Sequence, residues 1–242
     1  DENDRIATVG RHLLVWQMQP QGKQLLLFDP WQKQVRWQHQ FANTAYFWLL
    51  STDEVAVLDG AGRFVVVSLA DGSLRIDQTI QPDPNLTDMF VVRGPRQYLL
   101  FANSPQQAQG LINPVPGGYH SPMVGGTIYG FDRETGQQLW QTDISQMSFD
   151  YTQPLESPVL VLACRVYDQN RNGRITRQFS PIVCIDKRTG RKVVEEGLNG
   201  SISRIDVIPD PGNRAVEIRT NQSALKLTLT SEPWPDDHGN NP

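Results

Sequence analysis

The sequence predicts an all-β chain of four-stranded antiparallel blades, a β-propeller of about five blades or an arc of a larger seven- or eight-bladed one. Three observations carry this. A strand–turn–strand segment recurs four times, the copies fall at intervals that a ~40-residue unit with insertions accounts for, and the chain between them divides into short apolar runs bounded by turn residues.

The first copy is Leu27-Phe28-Asp29-Pro30-Trp31-Gln32-Lys33-Gln34-Val35-Arg36-Trp37 and the second Val66-Val67-Ser68-Leu69-Ala70-Asp71-Gly72-Ser73-Leu74-Arg75-Ile76. The third is Gly130-Phe131-Asp132-Arg133-Glu134-Thr135-Gly136-Gln137-Gln138-Leu139-Trp140 and the fourth Cys184-Ile185-Asp186-Lys187-Arg188-Thr189-Gly190-Arg191-Lys192-Val193-Val194. An Asp at the strand end can cap backbone N–H groups of the turn, and a Gly four residues on supplies positive φ without a Cβ clash. The closing aromatic, Trp37 or Trp140, can lie flat across the gap to a neighbouring blade and bury a large area.

From Lys33 to Gly72 is 39 residues, one blade. The next two intervals, 64 and 54 residues, imply insertions of roughly 24 and 14 against that unit. The strands then group as blades over 5–41, 44–80, 88–144, 149–196 and 203–230, within a propeller region 1–232 followed by a polar tail 233–242. The first blade takes strands 5–10, 12–18, 24–29 and 35–41, and the fourth takes 149–153, 159–167, 175–186 and 192–196. The fifth is one strand short, because Pro233 and Pro235 stop a fourth strand. Asp1-Glu2-Asn3-Asp4 is too polar and too short to supply it, so the expectation is the C-terminal part of a larger propeller or a five-blade arc.

The turn segments resemble the tryptophan-docking motif of pyrroloquinoline-quinone-type repeat propellers: a small residue, any residue, Asp, then Thr-Gly and a Trp eight positions after the Asp. Gly130 to Trp140 follows that pattern closely, whereas Ile76 and Val194 replace the Trp and Lys33 the Gly in the other copies. The resemblance implies the propeller fold, and an extracytoplasmic setting in the periplasm or cell envelope of bacteria. It leaves activity open, because such propellers include enzymes and non-enzymatic scaffolds. Its quinone-dependent dehydrogenases hold the quinone with a calcium or lanthanide ion, a catalytic carboxylate and an adjacent pair of bonded cysteines. Here Cys164 and Cys184 are far apart in sequence and no matching ligand cluster is found.

A net charge of -4 and a pI near 5.6 leave no basic field for a phosphate backbone, so nucleic acid is not an expected partner. No apolar run approaches the ~20 residues of a membrane helix, so membrane insertion is not expected either. The cysteines do not make a disulfide framework or a zinc pattern.

Several segments carry residue types suited to chemistry or binding. Asp168-Gln169-Asn170-Arg171-Asn172-Gly173-Arg174-Ile175 has oxygen side chains at calcium-loop positions, but Phe179 stands where the bidentate Glu belongs. Asn172-Gly173 reads better as a two-residue type I′ hairpin turn. In that register antiparallel partners sum to 345, which places Cys164 opposite Pro181 and predicts two unbonded, buried thiols. The Gly- and Pro-rich insertion 104–126 reads as a long loop carrying Tyr119 and His120, which could touch a partner. Gln17, Gln19, Gln21, Gln24, Gln32, Gln34, Gln38 and Gln40 suit a polar outer face, and a carbohydrate site would need glutamine beside an exposed Trp31.

The sequence therefore assigns no catalytic, cofactor-binding or metal-ligating residue and no cofactor. The expected function is a non-catalytic scaffold that binds another protein, with a dehydrogenase fragment or a polysaccharide- or envelope-binding module as alternatives.

Overall fold

A computed structural model describes residues 5–104, 111–115, 122–170, 172–200 and 202–230. The expected features at 1–4, Tyr119, His120, Arg171 and the tail 233–242 lie outside the described residues. The chain is all-β, built of antiparallel sheets of which two are separate four-stranded blades, with no helix among the described residues.

The first blade comprises β1 (Arg5–Val9), β2 (His12–Gln19), β3 (Gly22–Asp29) and β4 (Gln34–Phe41), paired in that order. The second comprises β5 (Tyr46–Leu49), β6 (Glu54–Leu58), β7 (Arg63–Ser68) and β8 (Leu74–Thr79). The third is built from β9 (Asp88–Arg93), β10 (Gln97–Asn103), β12 (Met123–Asp132) and β13 (Gln138–Phe149), with β11 (Leu111–Pro114) arising from the insertion between β10 and β12. The strands that follow are β14 (Val159–Gln169), β15 (Ile175–Asp186), β16 (Lys192–Asn199), β17 (Ile205–Asp210), β18 (Ala215–Thr220) and β19 (Ala224–Thr228).

Two compact units emerge. One contains Asp1–Gln109, Met123–Met147 and the turn Lys187–Arg191; the other contains Gly110–Pro122, Ser148–Asp186 and Lys192–Pro242.

In the first unit the middle blade explains the apolar runs. Side chains alternate between faces of a strand, so Val55 and Val57 of β6 and Val65 and Val67 of β7 join Leu14, Trp16 and Leu25 of the first blade in one core. Ala56, Leu58, Phe64 and Val66 face the other way, into a core with Met89, Tyr98, Leu100 and Phe131 of the third blade. A sheet covered on both faces has no polar side to alternate with, which is why Val55-Ala56-Val57-Leu58 and Phe64-Val65-Val66-Val67 read as unbroken hydrophobic stretches.

In the second unit the strand expected over 149–153 is absent. β13 ends at Phe149, Asp150 Oδ1 accepts the Thr152 N–H at 2.8 Å in a turn, and the Gln153 side chain takes over the pairing. Its Oε1 accepts the Val161 N–H at 3.0 Å and its Nε2 donates to the Val161 carbonyl at 3.0 Å, as a strand residue's backbone would.

The insertion is a second departure. β11 pairs with β14, Leu111 opposite Tyr167 and Pro114 opposite Cys164, directly beyond Ser148 opposite Ala163 and Phe149 opposite Leu162. One edge of β14 is thus covered by three separate pieces of chain. β17, β18 and β19 form a three-stranded sheet that packs Val216 and Ile218 against Val161, Ala163 and Cys184.

The β14–β15 register keeps the sum of 345 from Val159–Asp186 to Asp168–Arg177. The turn itself differs from the expected two-residue form. Gly173 donates to the Asn170 carbonyl at 2.9 Å and takes φ 75°, while Asn170 Oδ1 accepts the Asn172 and Arg174 N–H groups at 3.0 Å each. The glycine sits at the close of a longer turn, and the bulge at Asp168/Gln169 absorbs the extra residue. Cys164 and Cys184 are buried without a disulfide, and burial pushes their thiols up to about 11 and about 12.

Candidate functional site

The repeated turns form a relay across the first unit. In two of them the Gly N–H donates to the carbonyl at the end of the preceding strand, Gly72 to Ser68 and Gly136 to Asp132, both at 2.9 Å. Asp29 Oδ1 accepts the Trp31 and Gln32 N–H groups, and Asp132 Oδ1 those of Glu134 and Thr135. These N–H donors hold the Asp29 and Asp132 carboxyls below their ordinary range, the Gln32 and Thr135 backbones contributing most. Where Ser68 replaces the capping Asp, Asp71 serves instead, accepting the Ser73 N–H at 3.0 Å, and is lowered to about 2 chiefly by that bond.

A β-bulge follows the turns, between Leu27/Phe28, Val66/Val67 and Cys184/Ile185 on the partner strands. In the first unit the closing side chain then lies on the next turn. The Trp37 indole donates to the Leu69 carbonyl at 3.2 Å and covers Gly72, where a Cβ would come within 2.6 Å of the ring. Ile76 covers Gly136. The Trp140 indole donates to the Lys187 carbonyl at 2.6 Å and covers Gly190, where a Cβ would stand 2.7 Å from the ring. Trp140 also lies over Gly130 of its own blade, which explains the small residue that opens that copy.

Antiparallel pairing puts the first and third turns of each of the first three blades at one end of its sheet. At that end of the first blade, Trp31 is 80% exposed and Val35 46%. Pro30 fixes the backbone before Trp31 and buried Asp29 caps the turn from beneath, so the indole is presented on a rigid support.

The same end carries a charged network that the sequence did not disclose. Glu54 is fully buried and accepts the Tyr98 hydroxyl at 2.9 Å. Arg75 lies 3.3 Å and Arg93 3.2 Å from its carboxylate, and Arg93 also meets Asp53 at 2.8 Å. Burial and the bond to Glu54 raise the Tyr98 hydroxyl, which Arg133 also reaches. Four separate turns and strands supply these groups, so no local motif could have announced them.

Among the described residues a cavity lies in each unit. In the first, about 300 Å³ is lined by Asp59, Asp83, Asp143, Thr127 and Tyr129, at the end opposite Trp31. In the second, about 480 Å³ lies among Ser148, Gln153, Ala163, Arg204, Asp206 and Arg219. Both arginines there are held locally, Arg204 by Asp206 at 2.8 Å and Arg219 by both oxygens of Glu217. Among the described residues no group of three or more His, Cys, Asp or Glu side chains could hold a metal ion.

The calcium-type loop is used up by its own turn, since the Asn170 oxygen accepts two backbone N–H groups and Asp168 sits in the β14–β15 ladder. The glutamines divide. Gln17, Gln24 and Gln38 join across three strands at 2.7 and 3.2 Å, whereas Gln32 and Gln34 bond to each other in the turn of Trp31.

No protein-family model and no curated protein matches the sequence. Among solved structures the chain is similar to BamB from Moraxella catarrhalis, at 13% identity over 93% of this chain and 88% of that one, with a TM-score of 0.29. It is also similar to the quinohemoprotein alcohol dehydrogenase ADHIIG from Pseudomonas putida HK5, at 10% identity over 89% of this chain and 38% of that one, TM-score 0.45. The quinohemoprotein alcohol dehydrogenase from Comamonas testosteroni gives 11%, 89%, 39% and 0.42. The chain spans well under half the length of either dehydrogenase.

Proposed function

We propose that this chain is a non-catalytic interaction module of the pyrroloquinoline-quinone-type propeller class that binds another protein, in the periplasm or cell envelope. The observation that carries the reading is Trp31. A large aromatic side chain held four-fifths exposed by a capped, proline-stiffened turn loses little conformational freedom on docking. Trp and Arg are the residue types that most often anchor protein interfaces, and Arg36 follows in the same segment. The extracytoplasmic setting is what the resemblance of the turn motifs implies.

The test is photo-crosslinking in the source cell with p-benzoylphenylalanine in place of Trp31 and, as control, in place of Met18 at the other end of the blade. A discrete protein adduct from position 31 and none from position 18 is the expected result. No adduct from either position overturns the reading. A parallel assay gives the purified chain pyrroloquinoline quinone, calcium, an alcohol and a redox dye. Turnover above a heat-inactivated control would replace the module with a quinone-dependent dehydrogenase.

A further inference from the structure

The first unit is electrically polarised from one end of its sheets to the other. At the end that presents Trp31, the exposed cations Lys33, Arg36 and Arg96 join Arg75, Arg93 and Arg133. The turn Lys187–Arg191, which Trp140 holds in this unit, adds exposed Arg188 and Arg191. Opposing carboxylates at this end are mostly engaged. Asp29 and Asp132 accept turn N–H groups, Glu54 is buried beneath Arg75 and Arg93, and Asp53 pairs with Arg93. Among the described residues at this end Asp71 and Glu134 are exposed, and Asp71 is bonded to Ser73.

The opposite end has the reverse balance. Asp59, Asp83 and Asp143 line its cavity and Asp88 is exposed nearby, while Arg63 is engaged by both oxygens of Asp77, Lys23 donates to the Ala45 carbonyl at 2.8 Å and exposed Arg5 lies over the Phe47 ring. A chain whose net charge is -4 thus gathers an excess of cations on one face of one unit. Such a field steers oppositely charged partners and selects against like-charged ones. Among these cations stand the exposed apolar side chains of Trp31, Val35, Leu74 and Leu139. A base could stack on Trp31 but neither bases nor phosphates suit the aliphatic Val35, Leu74 and Leu139, whereas a polypeptide carrying both carboxylates and apolar side chains matches all four.

We infer that this end of the first unit docks an acidic polypeptide segment with interspersed apolar residues, Lys33, Arg36 and Arg96 meeting its carboxylates and Trp31 its apolar side chains. The inference rests on the reading of the chain as a protein-binding module and names the chemistry of the partner.

The probe is a fluorescein-labelled peptide of fifteen residues, Asp and Glu with three leucines, titrated with the full chain and followed by anisotropy. Binding should weaken by about ten-fold between 50 and 300 mM salt. It should weaken by at least about ten-fold in the triple variant Lys33→Glu, Arg36→Glu, Arg96→Glu, whose exposed positions leave the thermal melt unchanged. Carbodiimide coupling of the peptide's carboxylates should mark Lys33 and leave Lys23 unmarked. No binding by the wild-type chain, unchanged binding by the triple variant, or coupling at Lys23 overturns the inference. So does equal affinity for a fifteen-nucleotide DNA strand, which would make the surface a general polyanion site. If position 31 crosslinks a protein in cells while the peptide fails to bind, the acidic partner falls and the interaction module stands. Peptide binding without any cellular adduct leaves the surface chemistry standing and removes the module.

Discussion

The first and fourth blades solve the same problem in opposite ways. In the first, every strand is one continuous segment, the β1–β2 and β2–β3 ladders run without a shift, and the closing Trp37 reaches the next turn. In the fourth, one edge of β14 is covered by β11, by two residues of β13 and by the side chain of Gln153. What a blade requires is satisfied backbone donors and acceptors along each covered edge, whatever supplies them. The contrast teaches that the strand–turn–strand half of the repeat is the conserved geometry within this chain, while its first strand is negotiable.

If that is right, the largest losses come from the junctions that the turns build. Trp140→Ala should destabilise by about 3–5 kcal/mol, because it empties a buried site and leaves the Lys187 carbonyl without its indole donor. Trp31→Ala, in an exposed turn, should stay within about 0.5 kcal/mol. Chemical denaturation of both variants measures this, and equal midpoints would break the distinction between docked and presented tryptophans.

Glycine substitutions sharpen it next. Gly72→Ala, at φ 76° and with the Trp37 ring 2.6 Å from the new Cβ, should cost about 2–4 kcal/mol from combined strain and displacement. Gly173→Ala has φ 75° and nothing within 4 Å, so only the backbone term of about 1–2 kcal/mol remains. A difference of zero between the two would mean that the docked ring moves aside freely.

The smallest effect has the opposite sign. Lys33 holds φ 53° in the position where the other copies place glycine. Lys33→Gly should therefore raise stability by up to about 1 kcal/mol, read as a higher thermal midpoint.

The strand–turn–strand geometry was legible because its chemistry is local: Asp29, Asp132, Gly72, Gly136 and the tryptophans lie within a dozen residues of one another in each copy. The β14–β15 register was legible for the same reason, although the turn that closes it was misread by the attraction of Asn172-Gly173 to a two-residue form. β11 was hidden, since Leu111–Pro114 sits among glycines and prolines and its partner on β14 is some fifty residues away in sequence. Gln153 reads in the sequence as part of a strand, because a side chain can mimic a backbone pair without leaving any periodic trace. The network around Glu54 depends on residues from separate blades and has no sequence signature at all.

Lys33 has a consequence of another kind. Every docked junction in the first unit has a donor ring or side chain on one blade and a bare glycine receiver on the next. The first blade donates through Trp37, but its own turn carries a Cβ where a receiver needs empty space. In an array whose members are coupled to nearest neighbours, the first blade thus carries the donor half of this junction and lacks the bare receiver half. The Trp37 contact steadies both of the blades that share it, but its two halves are unlike, and that asymmetry gives the blades of the first unit a direction that their antiparallel sheets alone do not have.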